Sequence, residues 1–281
     1  MTYQSTCRVL HAERLPGAMT LLVLEAPDIA GAARPGQFVM VRCDDLTLRR
    51  PLSIHAADDG RLALLFRVTG AGTEWLSGIE AGASVSLTGP LGNGYGMPPA
   101  GSRVLMMAGG MGIAPLSFLA ARVPRDCDAT LVYGARSAVE LYRAPDALRR
   151  LIPEVCRLDA VRTLLATDDG SAGLHGSALD AALPLLEQVD STYLCGPVGM
   201  CIAAGALVSQ NSDITPIAVS SCSPLARERL ADAEVSLEVR MGCGVGACYA
   251  CAISTRLGRR KVCTDGPVFR FGDVCWDEVR T

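Results

Sequence analysis

The sequence predicts three units in series: an antiparallel β-barrel, an α/β unit built on a parallel sheet, and a small cysteine-rich unit. Three observations predict them. Short apolar alternations broken by glycine and proline fill residues 1–99, strand–glycine turn–helix repeats fill 100–223, and four cysteines crowd into 243–263 within the last stretch, 224–281. The length of 281 residues exceeds the ~100–200 residues usual for one domain, which agrees with more than one core.

In the first unit the alternations Met19–Leu24, Phe38–Arg42, Leu62–Val68 and Ser84–Thr88 suit the strands of a barrel or sandwich. Pro98-Pro99-Ala100-Gly101 marks a turn-rich junction. Beyond it, Val104–Ala108, Thr130–Tyr133 and Thr192–Cys195 are expected as buried parallel strands, and Leu116–Arg122 and Leu141–Leu151 as helices. After Pro224 a short strand, Glu234–Arg240, is expected to lead into the cysteines.

Composition narrows the function. Hydrophobic residues make up 49% and charged residues 20%, enough for well-filled cores. The net charge of −3 comes from 26 basic and 29 acidic residues interspersed along the chain, so no nucleic-acid or membrane-surface partner is expected. Val104–Ala121 carries no charge, but Gly109, Gly110, Gly112 and Pro115 divide it, and it reads as strand, turn and helix rather than a membrane span. The chain opens with no secretory signal, so a cytoplasmic protein with reduced thiols is expected. Cys7, Cys43, Cys127, Cys156, Cys195, Cys201, Cys222 and Cys275 stand singly and are expected as small apolar residues rather than disulfides. His11, His55 and His175 are scattered and are assigned structural or surface roles.

The remaining cysteines form Cys243-Gly-Val-Gly-Ala-Cys248-Tyr-Ala-Cys251, then Cys263 after eleven residues, a C-x₄-C-x₂-C…C spacing. This is the plant-type [2Fe–2S] arrangement. Such a loop must pass close to the inorganic sulfides, and Gly242, Gly244, Gly246 and Ala247 leave room for that. A structural zinc site is the alternative, but zinc ligands usually come as two close pairs, whereas here three lie together and the fourth is expected alone on a strand. A centre that moves single electrons calls for a two-electron partner, and a flavin is the natural converter.

Two segments suit that flavin. Arg50-Pro51-Leu52-Ser53 closes a strand-like run, and Gly70-Ala71-Gly72-Thr73 turns from the strand Leu62–Val68 into a helix. Arginine and hydroxyl groups can hold a phosphate and a ring edge, and a helix start offers N–H groups to a pyrophosphate; an ordinary strand end and turn would look the same. Ala108–Pro115, with Gly109, Gly110 and Gly112, follows a strand and precedes a helix, where a nucleotide pyrophosphate binds or where a helix simply packs tightly on its sheet. Cys195-Gly196-Pro197 ends a later strand, so Cys195 either faces a nicotinamide or is a core cysteine.

Together with Pro35-Gly36-Gln37-Phe38, Gly89-Pro90-Leu91-Gly92-Asn93-Gly94, Tyr133-Gly134-Ala135-Arg136, Thr167-Asp168-Asp169-Gly170-Ser171 and Cys263-Thr264-Asp265-Gly266-Pro267-Val268-Phe269, these motifs resemble, end to end, the electron-transfer subunits of class 1B dihydroorotate dehydrogenase, a branch of the ferredoxin reductase-like family. The resemblance implies FAD held by Arg50, Pro51, Leu52, Ser53, Leu65, Phe66, Arg67, Gly72 and Thr73, NAD(H) at the Gly109 turn and Cys195-Gly196, and a cluster on Cys243, Cys248, Cys251 and Cys263. It further implies an FMN-containing catalytic subunit as partner, in a heterotetramer that oxidises dihydroorotate to orotate for pyrimidine biosynthesis. A related branch, the small subunit of bifurcating NADH-dependent ferredoxin:NADP⁺ oxidoreductase, carries aspartate at the first ligand position, where this chain has Cys243. The stretch Gln210–Arg229 is longer than in the family. Two other readings remain at this stage: a reductase serving a ferredoxin, hydrogenase or oxygenase, and a zinc-bound nucleotide-sensing module. Arg136 and Ser137 leave NAD against NADP open.

Overall fold

A computed structural model describes residues 1–209 and 222–279. Twelve residues of the expected long stretch, 210–221, lie outside the described residues.

Six antiparallel strands, β1 (Tyr3–Leu15), β2 (Met19–Glu25), β3 (Phe38–Val41), β4 (Arg50–Asp58), β5 (Arg61–Arg67) and β6 (Ser84–Leu91), close into a barrel in the order β1-β2-β5-β4-β3-β6. Closure leaves no edge strand exposed. The barrel is filled by Leu22, Leu24, Val39, Ile54, Leu64 and Leu87, all fully buried. Helix α1 (Pro27–Ala32) packs on the barrel, and α2 (Ala71–Ser77) follows β5. Arg50–Ser53 opens β4 rather than closing a strand, because the chain reverses before it and Phe38 pairs with Ser53 across to β3.

The second layer is a seven-stranded sheet of order β10-β9-β8-β7-β11-β12-β15. Six of its strands, β7 (Arg103–Gly109), β8 (Asp128–Ala135), β9 (Arg162–Thr167), β10 (Leu174–His175), β11 (Ser191–Cys195) and β12 (Glu234–Ser236), run parallel. The near-continuous apolar runs of β7, β8 and β11 reflect burial on both faces. Helix α3 (Ile113–Arg122) covers one face against β4. The helix expected over Leu141–Leu151 is shorter: α4 spans Asp146–Leu151, because Pro145 disfavours helical geometry at Ala144. Helices α5 (Ala178–Ala182), α6 (Val198–Ser209) and α7 (Pro224–Asp232) complete the unit.

The expected strand Glu234–Arg240 is confined to β12 (Glu234–Ser236), which pairs parallel to β11. Residues 237–240 leave the sheet to form a cleft wall. After the cysteine loop come a hairpin of β13 (Ala252–Thr255) and β14 (Gly258–Lys261), a helical turn α8 (Val262–Asp265), and β15 (Val268–Arg270) antiparallel to β12. Thus β12 and β15, within residues 224–281, extend the sheet of the preceding unit. Cys263 sits in α8 and not on a strand.

The segment leaving the barrel is clasped to this sheet. The Tyr95 hydroxyl donates to the Leu194 carbonyl at 2.9 Å, the Tyr193 hydroxyl donates back to the Gly96 carbonyl at 2.9 Å, and the rings meet edge to face at 5.5 Å. Asn93 reads β15 like a paired strand, its Nδ2 donating to the Val268 carbonyl at 2.8 Å and its Oδ1 accepting from the Val268 N–H at 3.0 Å. No described helix is long and apolar enough to cross a membrane.

Candidate flavin and iron–sulfur site

These clasps leave a cleft of about 1560 Å³ where barrel, sheet and cysteine loop meet. Its barrel wall holds Arg50, Pro51, Leu52, Ser53, Leu65, Phe66, Arg67 and Thr73. Neighbouring β4 and β5 carry all but Thr73, so two segments apart in sequence share one surface. Gly72 stands behind this wall, and a Cβ there would collide with the Arg50 guanidinium, so its glycine makes room for that side chain. The Thr73 hydroxyl accepts from the N–H of Thr69 at 2.9 Å and of Gly70 at 3.2 Å, capping the turn into α2.

Arg67 supplies the clearest sign of an anionic occupant. Its Nη1 pairs with Glu140 at 3.0 Å, while Nε and Nη2 are buried without a protein partner. Leaving such donors unpaired is costly, and a pyrophosphate in the cleft would satisfy them. The barrel wall therefore fits a dinucleotide flavin.

At the far side the residues expected to hold NAD(H) form a shelf. The turn at Gly109, Gly110 and Gly112 packs on Cys195-Gly196-Pro197 from the adjacent strand: Gly109 lies against Pro197 and Met200, and a Cβ at Gly112 would collide with the Cys195 carbonyl. Met111, Ala114, Pro197 and Val198 face the cleft from this shelf; the three glycines, Cys195 and Gly196 do not line it. Cys195 is wholly buried, and its Sγ donates to Oε1 of Glu238 at 4.0 Å, the outer limit for a thiol. Burial, then Glu238 and Cys201, raise the Cys195 pKa well above the usual thiol range.

Glu238 carries no motif, and only its place in the fold reveals it. It stands on the cleft wall between sheet and cysteine loop with its side chain exposed to the cleft, and the protein that surrounds the cleft pushes its pKa up to about 7. His55 does not line the cleft. Buried between the Ala114 carbonyl at 3.1 Å and the Tyr142 hydroxyl at 2.8 Å, it is pushed down to about 4 by burial and ties α3 to the barrel.

The cysteine loop brings its four thiols together as two pairs. Cys248 lies within hydrogen-bonding reach of Cys243, and Cys251 of Cys263. The second pair is buried, with Cys251 lining the cleft, and the first faces outward. Backbone N–H groups of Val245, Ala247 and Cys248 donate to Cys243 Sγ at 3.3–3.4 Å, and Gly246 N–H donates to Cys263 Sγ at 3.2 Å. Burial opposes ionisation of Cys243, but these N–H bonds and the Cys248 thiol outweigh it and bring its pKa down to about 6. Burial and the adjacent Cys251 push Cys263 up to about 11. Among the described residues no three His, Cys, Asp or Glu side chains converge on a single-ion site. Two thiol pairs ringed by N–H donors suit two irons, two thiolates each, better than one tetrahedral zinc.

Residues 238–275 match the model of the iron–sulfur cluster binding domain of dihydroorotate dehydrogenase B, and 106–205 match an oxidoreductase NAD-binding domain. The chain is 38% identical to the electron transfer subunit of dihydroorotate dehydrogenase B (NAD(+)) from Desulforamulus reducens, over 90% of this chain and 91% of that one. It is 32% identical to the same subunit from Caldanaerobacter subterraneus, over 96% and 97%. Among solved structures it resembles one of NADH-dependent reduced ferredoxin–NADP oxidoreductase, studied for flavin-based electron bifurcation, with a TM-score of 0.75 and 27% identity over 97% of this chain and 91% of that one. An Amycolatopsis cytochrome P450 reductase aligns with a TM-score of 0.58 at 27% identity, over 76% and 68%.

Proposed function

Because the chain belongs to the family of dihydroorotate dehydrogenase B electron transfer subunits, we propose that it relays electrons between NAD(H) and a catalytic partner that oxidises dihydroorotate to orotate in the cytoplasm. One observation carries the reading: a single cleft runs from the barrel wall at Arg50–Ser53 and Leu65–Arg67 to Cys251 of the cysteine loop. FAD bound there supplies conversion between hydride transfer and single-electron transfer, and a [2Fe–2S] group carries the single electrons onward.

The chain's own residues position and insulate. Arg67 has two free guanidinium nitrogens, Nε and Nη2, that would hold the flavin's pyrophosphate, and Arg50 to Ser53 would help hold its ring. Met111, Ala114, Pro197 and Val198 form the floor for a nicotinamide at the cleft, and the packed turn of Gly109, Gly110 and Gly112 on Cys195 and Gly196 supports them from behind. Cys243 and Cys248 would hold one iron and Cys251 and Cys263 the other, with the buried pair on the cleft side and the other pair on the outward side. Exposed Val245 and Tyr249 beside the outward pair form the docking side for an FMN-containing catalytic subunit, in a heterotetramer. In this division of labour residues 1–99 bind FAD, 100–223 bind NAD(H) and 224–281 carry the cluster.

Co-expression with the candidate catalytic subunit, followed by dihydroorotate-dependent reduction of NAD⁺, tests the reading. Activity only in the complex, with flavin and iron–sulfur absorption, is expected. A protein that binds zinc in place of iron, or reduces another acceptor with no response to dihydroorotate, would overturn it.

A further inference from the structure

The cysteine loop holds a cation that neither the motif nor the relay accounts for. Lys261 ends β14, its backbone N–H on Asp265 Oδ2 at 2.7 Å. Its Nζ donates to the Gly246 carbonyl at 3.0 Å and lies 4.9 Å from the centre of the Tyr249 ring. The carbonyl of Gly246 and the N–H of Ala247 belong to one peptide group, and that N–H donates to Cys243 Sγ at 3.3 Å. A cation on the oxygen of a peptide polarises it and makes its N–H a stronger donor. Gly246 also gives its own N–H to Cys263. With φ of +80° and a Cβ position 2.9 Å from Thr264 and 3.3 Å from Lys261 Nζ, only glycine lets both peptides turn inward and still admits the ammonium.

We propose that Lys261 is a positioning residue that raises the reduction potential of the iron–sulfur group, acting through the Gly246–Ala247 peptide on Cys243. Accepting one electron from the reduced flavin adds one negative charge to that group. A cation wired to one of its sulfurs favours the more negative state, and hydrogen bonds to cluster sulfurs are a recognised control of potential. Lys261 is only partly exposed, which weakens screening by salt.

The inference rests on the cluster assignment, so metal analysis comes first. Iron and sulfide content and the visible spectrum are measured for wild type, Lys261→Met, Lys261→Gln and Lys261→Arg, then the cluster midpoint by redox titration read by electron paramagnetic resonance. Lys261→Met removes charge and donor and is expected to shift the one-electron equilibrium about three- to tenfold toward the oxidised form, tenfold being 59 mV. Lys261→Gln keeps a donor without charge and falls between, Lys261→Arg stays near wild type, and the flavin potential does not move. Iron-replete Met and Gln variants with wild-type potentials would overturn the proposal. Where the Met variant fails to hold iron, Gln and Arg decide, and equal potentials in those two also overturn it. An iron-free wild type overturns the cluster assignment and this proposal together, so the two failures are told apart.

Discussion

Two glycine-rich loops flank the cleft, and glycine does different work in each. In the turn at Gly109–Gly112 it lets two stretches of the protein's own backbone touch: Gly112 lies on the Cys195 carbonyl and Gly109 on Pro197. In the loop from Cys243 to Cys251 it turns peptide N–H groups inward, so that four of them point at sulfur. Glycine content alone does not distinguish a ligand cradle from a packing joint. What separates them is where the N–H groups go.

The strongest challenge to this contrast is Gly112→Ala. The new methyl meets a backbone carbonyl that cannot rotate away, and a loss of more than about 4 kcal/mol is expected in denaturant unfolding. A variant that unfolds like wild type but loses NAD(H) binding would make the turn a cradle instead. Next comes Cys248→Ala. Cys248 is exposed, so the fold and flavin should survive while iron–sulfur absorption disappears, as circular dichroism and visible spectra would report.

Arg67→Met locates the anion site. Removing two unpartnered donors should weaken FAD binding by about 10²–10⁴-fold, since hydrogen bonds from charged groups contribute roughly 1.5–3 kcal/mol each, and fluorescence titration of the flavin-free protein measures it. Unchanged affinity would move the pyrophosphate off the barrel wall. A smaller effect is expected for Gly110→Ala, where φ is +51° and no atom lies within 4 Å of the added methyl. Only backbone strain is felt, about 1 kcal/mol. The mildest effect is in pH. Glu238 has its folded pKa raised to about 7 from an ordinary 4.5, so the folded state binds the proton more tightly. Its contribution is fully present below 4.5 and is lost as pH rises through 7, and Glu238→Gln should flatten that part of the stability profile of the flavin-free protein.

Much of this architecture was legible from local pattern. The alternations at Met19–Leu24 and Leu62–Val68 became β2 and β5, and the strand–glycine turn–helix at 104–122 became β7 and α3, because each pattern reports burial of a single element. The four cysteines were legible as a set through their spacing, though the fold puts the fourth in a helical turn. The helix expected from Leu141 begins only at Asp146, because Pro145 disfavours helical geometry at Ala144, a local rule that the apolar pattern does not carry. Glu238 and Lys261 were illegible for another reason. A lone glutamate or lysine has no pattern, and each gains its meaning from partners far along the chain, Cys195 for one and Gly246 for the other. The union of β12 with β15 is similarly long-range, since a three-residue strand leaves too few positions to show an alternation.

That union has a mechanical consequence. The excursion bearing the cysteines departs from β12 and comes home to β15, and Val235 faces Phe269 directly across the ladder, so both feet of the arch stand on adjacent rungs. The gap an electron would cross between a flavin in the cleft and a cluster on this arch would then be gauged by a hydrogen-bonded lattice rather than by a swinging tether. Transfer of this kind has no hinge to wait for, and thickening the solvent with glycerol should leave its rate where it was.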